Sequence, residues 1–467
     1  MTKVACPVAV AARTHGAALA WHSIEQSYRY DQFHEQVLQL QRQLLKLSVQ
    51  RGELIAYQGN NSPTMLALFW ACARQGFIFC PLSPKWTQSQ VVTLLAEHNI
   101  RHVISSVYPS LSTLSLANSA DNDCASETAA NQPCVSIDIE RDTPCNVILT
   151  SGSSGFPKAA VHSFANHVAS AQGSASMIAL SNQDSWLLNL PLFHIGGLAT
   201  TIRCALAAAC VVAPVNSQPL IEQLQSLRPS HVSCVDAQLL PLWQQPQFVD
   251  ALTRCKALLL GGSAISDTTL TMLEQHNICA FISYGLTEMS SQVATAPVNR
   301  QGLVGSPLPG RELTIENGHI LMRGPCRFLG YLERGQLTVL PQHQWFDSKD
   351  LGQWQQNQLK IVGRADNRFV SGGENIQPET IEALLLRHPQ IQRAMVYPLP
   401  DERFGQLPHA VIDAQTELTQ QQLDAFLADK LPRFMRPRSY QAWPQRLTSV
   451  GIKFNRRQVL RALNVEH

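Results

Sequence analysis

The segment Ile148-Leu149-Thr150-Ser151-Gly152-Ser153-Ser154-Gly155-Phe156-Pro157-Lys158 decides how the rest of the chain is read. Its first three residues close an apolar run and read as a strand. From Ser151 to Gly155 every residue is Gly or Ser, so backbone N–H groups can approach an anion and hydroxyls add donors. Lys158 supplies a positive charge, and the whole suits a polyphosphate. This is not a GxxxxGK[ST] loop, because Pro157 precedes the lysine and Ala159 follows it. A plain Ser/Gly turn would share the composition; the Thr…Gly…Gly…Pro-Lys frame is what favours nucleotide phosphate.

Outward from this loop the chain alternates short apolar runs with helical patterns. Upstream, Ala18–Trp21, Ser27–Tyr30, Leu54–Tyr57 and Phe77–Leu82 read as strands. Asp31 is a helix cap for the apolar series Phe33, Val37, Leu40, Leu44 and Leu47, close to a 3.6 period. Ser62-Pro63 starts a second helix and Gln88–His98 forms a third. The rhythm predicts an α/β fold with a largely parallel sheet. Residues 108–133, rich in Ser, Ala, Asn and Asp, read as a surface loop. The alternation resumes at Cys145 and runs to Cys279–Ser283. From Gly302 to Val362 short runs such as Glu312–Glu316, His319–Arg323 and Leu359–Val362 predict a small β subdomain. A boundary falls near Gly363–Asp366. Glu379–Arg387, Arg393–Leu399 and Thr419–Lys430 then read as helix, strand and helix of a small C-terminal α/β domain.

The bulk numbers agree with a large enzyme-like chain. Its 467 residues are 45% hydrophobic and 15% charged, enough for an extensive core and too little charge for disorder. A net charge of +2 draws it strongly to neither nucleic acid nor anionic lipid. The apolar run Val4–Ala12 is short, contains Pro7 and is followed by Arg13 and His15, so it reads as an ordinary N-terminal segment. No apolar stretch reaches the ~18 residues of a membrane span. None of the twelve cysteines forms a CxxC pair, and Cys72, Cys204, Cys210 and Cys279 sit in apolar contexts. That pattern predicts buried free thiols in a reducing, cytoplasmic setting. His162 and His167, five apart, read as lying on different sides of a helix and not as a ligand pair.

Further segments carry chemistry in a fixed order: Gly261-Gly262-Ser263-Ala264, Ser283-Tyr284-Gly285-Leu286-Thr287-Glu288, Asp347-Ser348-Lys349-Asp350, Gly363-Arg364-Ala365-Asp366, Ser371-Gly372-Gly373-Glu374-Asn375-Ile376 and Gly451-Ile452-Lys453. An aromatic face suits a purine and a carboxylate suits a hard cation bridging phosphates. With Thr150–Lys158 at their head, these segments resemble the acyl-adenylate-forming superfamily of acyl- and aryl-CoA ligases over most of the chain.

The resemblance implies ATP, Mg²⁺ and coenzyme A as reactants and cofactor, and a two-step reaction through an acyl-AMP. It places the ATP phosphates on Thr150, Ser151, Gly152, Ser153, Ser154, Gly155 and Lys158. Tyr284 and Gly285 lie beside adenine, Thr287 at phosphate, Glu288 on Mg²⁺, Asp350 on the ribose and Arg364 on ribose or phosphate. Gly262 and Ser263 border the acyl pocket, and His194, in Leu192-Phe193-His194-Ile195-Gly196-Gly197, lies near the reacting carboxylate. Lys453 bridges carboxylate and α-phosphate, although the usual Pro-Lys-Thr lead-in is missing and Ile452 separates it from Gly451. Gly372 and Gly373 line the thiol route. Asp366 is the hinge between an N-terminal domain, residues 1–364, and a mobile C-terminal domain, residues 367–467. Asn367-Arg368 replaces a more usual acidic-plus-apolar pair. A homodimer is compatible with this family.

Arg203 bears on the acid. Between Asp184 and Glu222 it is the only formally charged residue, within apolar or small neighbours. Burying it there is costly without an anion. A partner aspartate from elsewhere in the fold, or a second carboxylate on the substrate held bidentately, would each answer that cost. His194-Ile195-Gly196-Gly197-Leu198 followed by Arg203, with Gly-Ile-Lys at the end, is similar to the 2-succinylbenzoate–CoA ligase branch, which implies the second carboxylate. A ligase for another aryl or acyl acid, or a non-catalytic binding protein of the same fold, are the alternatives.

Overall fold

Ser62 caps the helix Pro63–Gln75: its hydroxyl accepts the Met65 N–H at 3.1 Å and proline fills the first turn. Such local signals are obeyed through most of this computed structural model, which describes residues 2–47, 49–116, 135–150, 157–214, 218–262, 265–444, 447 and 456–465. Leu54–Gln58, Ile78–Leu82 and His102–Ser105 are parallel strands, connected by Pro63–Gln75 and Gln88–Glu97. One cap differs from expectation. The helix Tyr30–Leu45 begins before Asp31, and Arg29 holds the cap position, its N–H donating to the Gln32 side chain at 3.0 Å. Asp31 sits in the first turn, where its charge favours the helix N-terminus, and pairs with Arg29.

Two large sheets carry the body of the chain. One has seven strands in the order Gln336–Val339, Gly330–Glu333, Lys158–Ser163, Pro144–Thr150, Ile78–Leu82, Leu54–Gln58, His102–Ser105. The other has eight, from Ser291–Pro297 through Ala280–Leu286, Ala257–Gly261, His231–Cys234, Ser185–Leu187, Cys210–Val212 and Leu19–His22 to Ser27–Arg29. A core of Trp21, Phe69, Trp70, Phe79, Phe164 and Trp186 joins them. Their strands are buried on both faces where helices cover them, which is why Leu258-Leu259-Leu260 is an unbroken apolar run.

The expected β subdomain is real but narrower. Glu312–Glu316, His319–Arg323, Phe346–Gln355 and Gln358–Arg364 form a four-stranded antiparallel sheet. The hairpin Gly330–Glu333/Gln336–Val339 leaves it and extends the seven-stranded sheet against Lys158–Ser163. Leu332 explains this, being buried with Val161 and Val147. After residue 366 a separate core of Phe369, Ile381, Leu385, Val396, Ile412, Leu423 and Leu427 serves a two-stranded and a three-stranded sheet. Pro378–Leu385, Ile391–Asp401 and Gln420–Ala428 match the expected helix, strand and helix within a few residues.

Two sequence readings are corrected. Cys279 is exposed, one residue before its strand begins, while the other described cysteines are buried and free. His162 lies on a strand and His167 on the following helix, Phe164–Ala175, so their rings stack at 5.1 Å instead of diverging around one helix. Among the described residues no helix is long and apolar enough to cross a membrane. The apolar run from Ile195 is a helix, Ile195–Ala207, followed by the strand Cys210–Val212.

Candidate active site

Thr150 and Lys158 face each other across adjacent antiparallel strands, at the two ends of the Ser/Gly loop. The loop's Ser151, Gly152, Ser153, Ser154 and Gly155 lie outside the described residues, as do Ser263 and Lys453. Lys158 is exposed, and its Nζ stands 5.3 Å from the centre of the Tyr331 ring. The Tyr331 hydroxyl donates to Glu288 Oε1 at 2.6 Å. Burial, the Glu288 charge and this hydrogen bond together push the phenol well above its ordinary pKa. Two contacts fix the backbone beneath. His162 Nε2 meets the Thr287 carbonyl at 2.8 Å, so that nitrogen carries the proton, and the Phe328 N–H donates to the Glu288 carbonyl at 2.8 Å. Thr287 and Glu288 are thereby pinned against the strand that carries Lys158.

A second chain of contacts begins four residues earlier. The Tyr284 hydroxyl donates to Asp350 Oδ2 at 2.6 Å, and Arg364 donates to Asp350 Oδ1 at 3.0 Å. Arg364 also grips Asp366 through Nε and Nη2, at 2.9 and 3.0 Å. The bidentate pair with Asp366 and the charge of Asp350 raise the guanidinium pKa, and the Asp366 carboxyl is held below its ordinary range by the same arginine. Four residues predicted from three separate segments thus form one connected network. Gly285 lies between them, and a Cβ there would sit 2.1 Å from the Ser291 carbonyl, which explains the glycine.

The third group is apolar. His194 caps the helix Ile195–Ala207, with its ring 4.7 Å from Phe193 and its pKa lowered by burial. Gly196, Ala199 and Thr200 lie on the same helix face as Arg203, one and two turns before it. Arg203 is 5% exposed. Its guanidinium lies 5.3 Å from the Trp186 ring and donates to Ser291 Oγ at 3.3 Å, while Nε has no partner. No carboxylate pairs with it among the described residues. Burial first, and the nearby Arg311 charge, push its pKa down to about 10. Of the two answers the sequence left open, the partner aspartate is not found among the described residues.

Residues 8–332 match the AMP-binding enzyme family, and residues 380–449 its C-terminal domain. The chain belongs to the AMP-binding enzyme family. Among AMP-binding enzymes, the 2-succinylbenzoate–CoA ligase of Salmonella typhimurium is 34% identical over 88% of this chain and 87% of its own. An arginine-to-lysine variant of Escherichia coli MenE with bound OSB-AMS superposes with a TM-score of 0.82 at 30% identity, covering 96% of this chain and 97% of that one. MenE from Bacillus subtilis in complex with ATP and magnesium ion shares the fold, with a TM-score of 0.80 at 23% identity over 94% of this chain and 96% of that one.

The other predicted residues are placed but not joined to these groups. Gly262 adopts φ +81° at the end of Ala257–Gly261. Gly372 and Gly373 adopt φ +59° and +87° in the turn between Phe369–Ser371 and Glu374–Ile376, with the Gly372 N–H on the Phe404 carbonyl at 2.9 Å. Sequence reasoning missed Tyr331, Trp186, Ser291 and the role of His162. Tyr331 is 43 residues from its partner Glu288, so no local spacing marks the pair. The residues present suit a magnesium ion bridging phosphates. Glu288 Oε2 has no hydrogen-bond partner among the described residues, and a single protein carboxylate with substrate phosphates is usual for this ion.

Proposed function

We propose that the chain is a 2-succinylbenzoate–CoA ligase, converting the acid, ATP and CoA into the CoA thioester, AMP and diphosphate. The observation that carries the substrate is Arg203, a buried cation whose charge is met only by a ring face and a hydroxyl among the described residues. A second substrate carboxylate supplies the missing anion, held through the guanidinium fork.

In the first half-reaction a substrate carboxylate oxygen attacks the α-phosphorus and diphosphate leaves. Thr150, the Ser151–Gly155 loop, Lys158 and Thr287 hold the phosphates, Tyr284 and Gly285 border adenine, and Asp350 with Arg364 takes the ribose. Glu288 would hold the magnesium ion, which when bound would supply positive charge to the phosphate oxygens. Lys453 guides the carboxylate to phosphorus, and Gly262, Ser263 and His194 border the acyl group. In the second half-reaction the CoA thiolate attacks the acyl carbonyl and AMP leaves with the oxygen it gained. The C-terminal domain, residues 367–467, turns about Asp366 against residues 1–364, exchanging Lys453 for Gly372 and Gly373 along the thiol route. The likeness to MenE in sequence and fold supports this reading, as does the Tyr284–Asp350–Arg364 network.

The test is CoA consumption with benzoate, aliphatic acids and 2-succinylbenzoate, with Arg203→Ala in parallel. The dicarboxylate is expected to be used best, and Arg203→Ala to abolish that preference. An unchanged preference in the variant would overturn the substrate assignment in favour of another aryl or acyl acid.

A further inference from the structure

We infer that Tyr331 is a positioning residue that holds Lys158 and Glu288 apart, each turned to its own ligand. The inference rests on the proposed assignment of Glu288 to the magnesium ion and Lys158 to phosphate.

A lysine and a glutamate brought to one site attract each other, and collapse into an ion pair would occupy both groups. Neither forms an ion pair among the described residues. Tyr331 stands between them, using two different parts of one side chain. Its ring lies under the Lys158 ammonium at 5.3 Å, and its hydroxyl donates to one oxygen of Glu288 at 2.6 Å. The ring offers the cation a negative face without a formal charge that would bind it permanently. The hydroxyl fixes the carboxylate's orientation, as outer partners of metal ligands commonly do.

The tyrosine is itself well held. Its strand pairs with the one that carries Lys158, and Tyr331 stands opposite Ala160. Phe328 packs edge-on against its ring at 4.8 Å, and the Phe328 N–H holds the Glu288 carbonyl. The spacing between cation and carboxylate is thus set by a paired strand and a packed ring.

The two parts separate experimentally. Tyr331→Phe removes the hydroxyl and keeps the ring; Tyr331→Leu removes both. Manganese can stand in for magnesium, its binding to the protein–ATP complex followed by electron paramagnetic resonance without turnover, and metal-free ATP binding followed by calorimetry. Tyr331→Phe is expected to weaken manganese binding on the order of 10-fold while leaving metal-free ATP binding within twofold. Tyr331→Leu should in addition weaken metal-free ATP binding by roughly 2- to 5-fold. In a Glu288→Gln background Tyr331→Phe should have no further effect on the metal.

Unchanged manganese affinity in Tyr331→Phe, with a loss in Glu288→Gln, would overturn the role of Tyr331 and leave Glu288 as the metal ligand. Unchanged affinity in Glu288→Gln would instead remove the metal assignment itself. Equal losses of both ligands in Tyr331→Phe would make the tyrosine a general packing residue and end the proposal. Tyr331→Phe preserves the ring packing, so it decides these outcomes even if Tyr331→Leu does not fold.

Discussion

The nucleotide side and the acyl side of this site meet their electrostatic needs in opposite ways. Around the nucleotide, charges answer one another within the protein: Tyr284 and Arg364 on Asp350, Arg364 on Asp366, Tyr331 on Glu288. Around the acid, Arg203 is buried with a ring face, one hydroxyl and an unpartnered Nε. The first arrangement is ready before its ligand arrives and serves any acid that is to be adenylated. The second lacks an anion among the described residues, and on the proposed assignment a second substrate carboxylate would complete it. On the proposed assignment, discrimination between acids would follow from that deficit, because a monocarboxylate would leave the cation unanswered.

The largest effect should come from the incomplete side. Arg203→Ala is expected to lower kcat/KM for the dicarboxylate by roughly 100- to 1,000-fold, the usual scale for truncating one member of a buried charged pair. ATP affinity measured without acid should stay the same. The ligand-free protein should also gain from losing the lone charge: Arg203→Met is expected to melt at a higher temperature than the parent. A lower melting temperature would mean that Arg203 is already satisfied, and the contrast would fail.

On the complete side the signs reverse. Asp350→Ala should weaken ATP binding by roughly 10- to 100-fold, the scale of one lost hydrogen bond to a charged group. It should also lower the melting temperature, since Tyr284 and Arg364 lose their acceptor. Calorimetry and thermal melts on the same sample would check both. A variant with intact stability would show that the network is not self-supporting.

A smaller effect concerns acid. Burial lowers the His162 pKa to about 4, from an ordinary 6.5, and burial also lowers that of His167 beside it. Between those values the unfolded chain binds the proton and the folded one does not. The contribution is therefore fully present above pH 6.5 and is lost as pH falls towards 4, by roughly 2 kcal/mol for His162 between pH 7 and pH 5. His162→Gln, which keeps a donor for the Thr287 carbonyl, should flatten the pH dependence of stability measured by denaturant titration. An unchanged slope would remove His162 as its source.

Much of this was legible in the chain because the signals are local. Ser62-Pro63 carries its own cap, and the Gly-rich and acidic segments keep their order whatever lies between them. The network around Asp350 was readable only as a set of separate roles, since nothing local links it to Tyr284, 66 positions earlier. Tyr331 was hidden for a related reason. Its hairpin looked like part of the small β sheet, and only the burial of Leu332 sends it to the other sheet. Arg203 was the reverse case: its composition announced a problem, and the fold showed that the described protein does not solve it. His162 and His167 were misjudged because a strand-to-helix junction lies between them.

Gly285 has a consequence for how such an enzyme can diverge. Its missing side chain lets the Ser291 carbonyl come within 2.1 Å of where a Cβ would stand, and Ser290 and Ser291 both take positive φ to reach that position. The turn that presents Glu288 and the serine that touches Arg203 are therefore one continuous, tightly fitted piece of backbone. A lineage drifting towards a new acid meets an obstacle there, because replacing Ser291 disturbs the neighbouring turn. On the helix that carries Arg203 the comparable fit is at Gly197, where a Cβ would stand 2.2 Å from the Pro191 carbonyl, so the first steps towards another diet would be taken at Ala199 or Thr200, on the face that Arg203 shares.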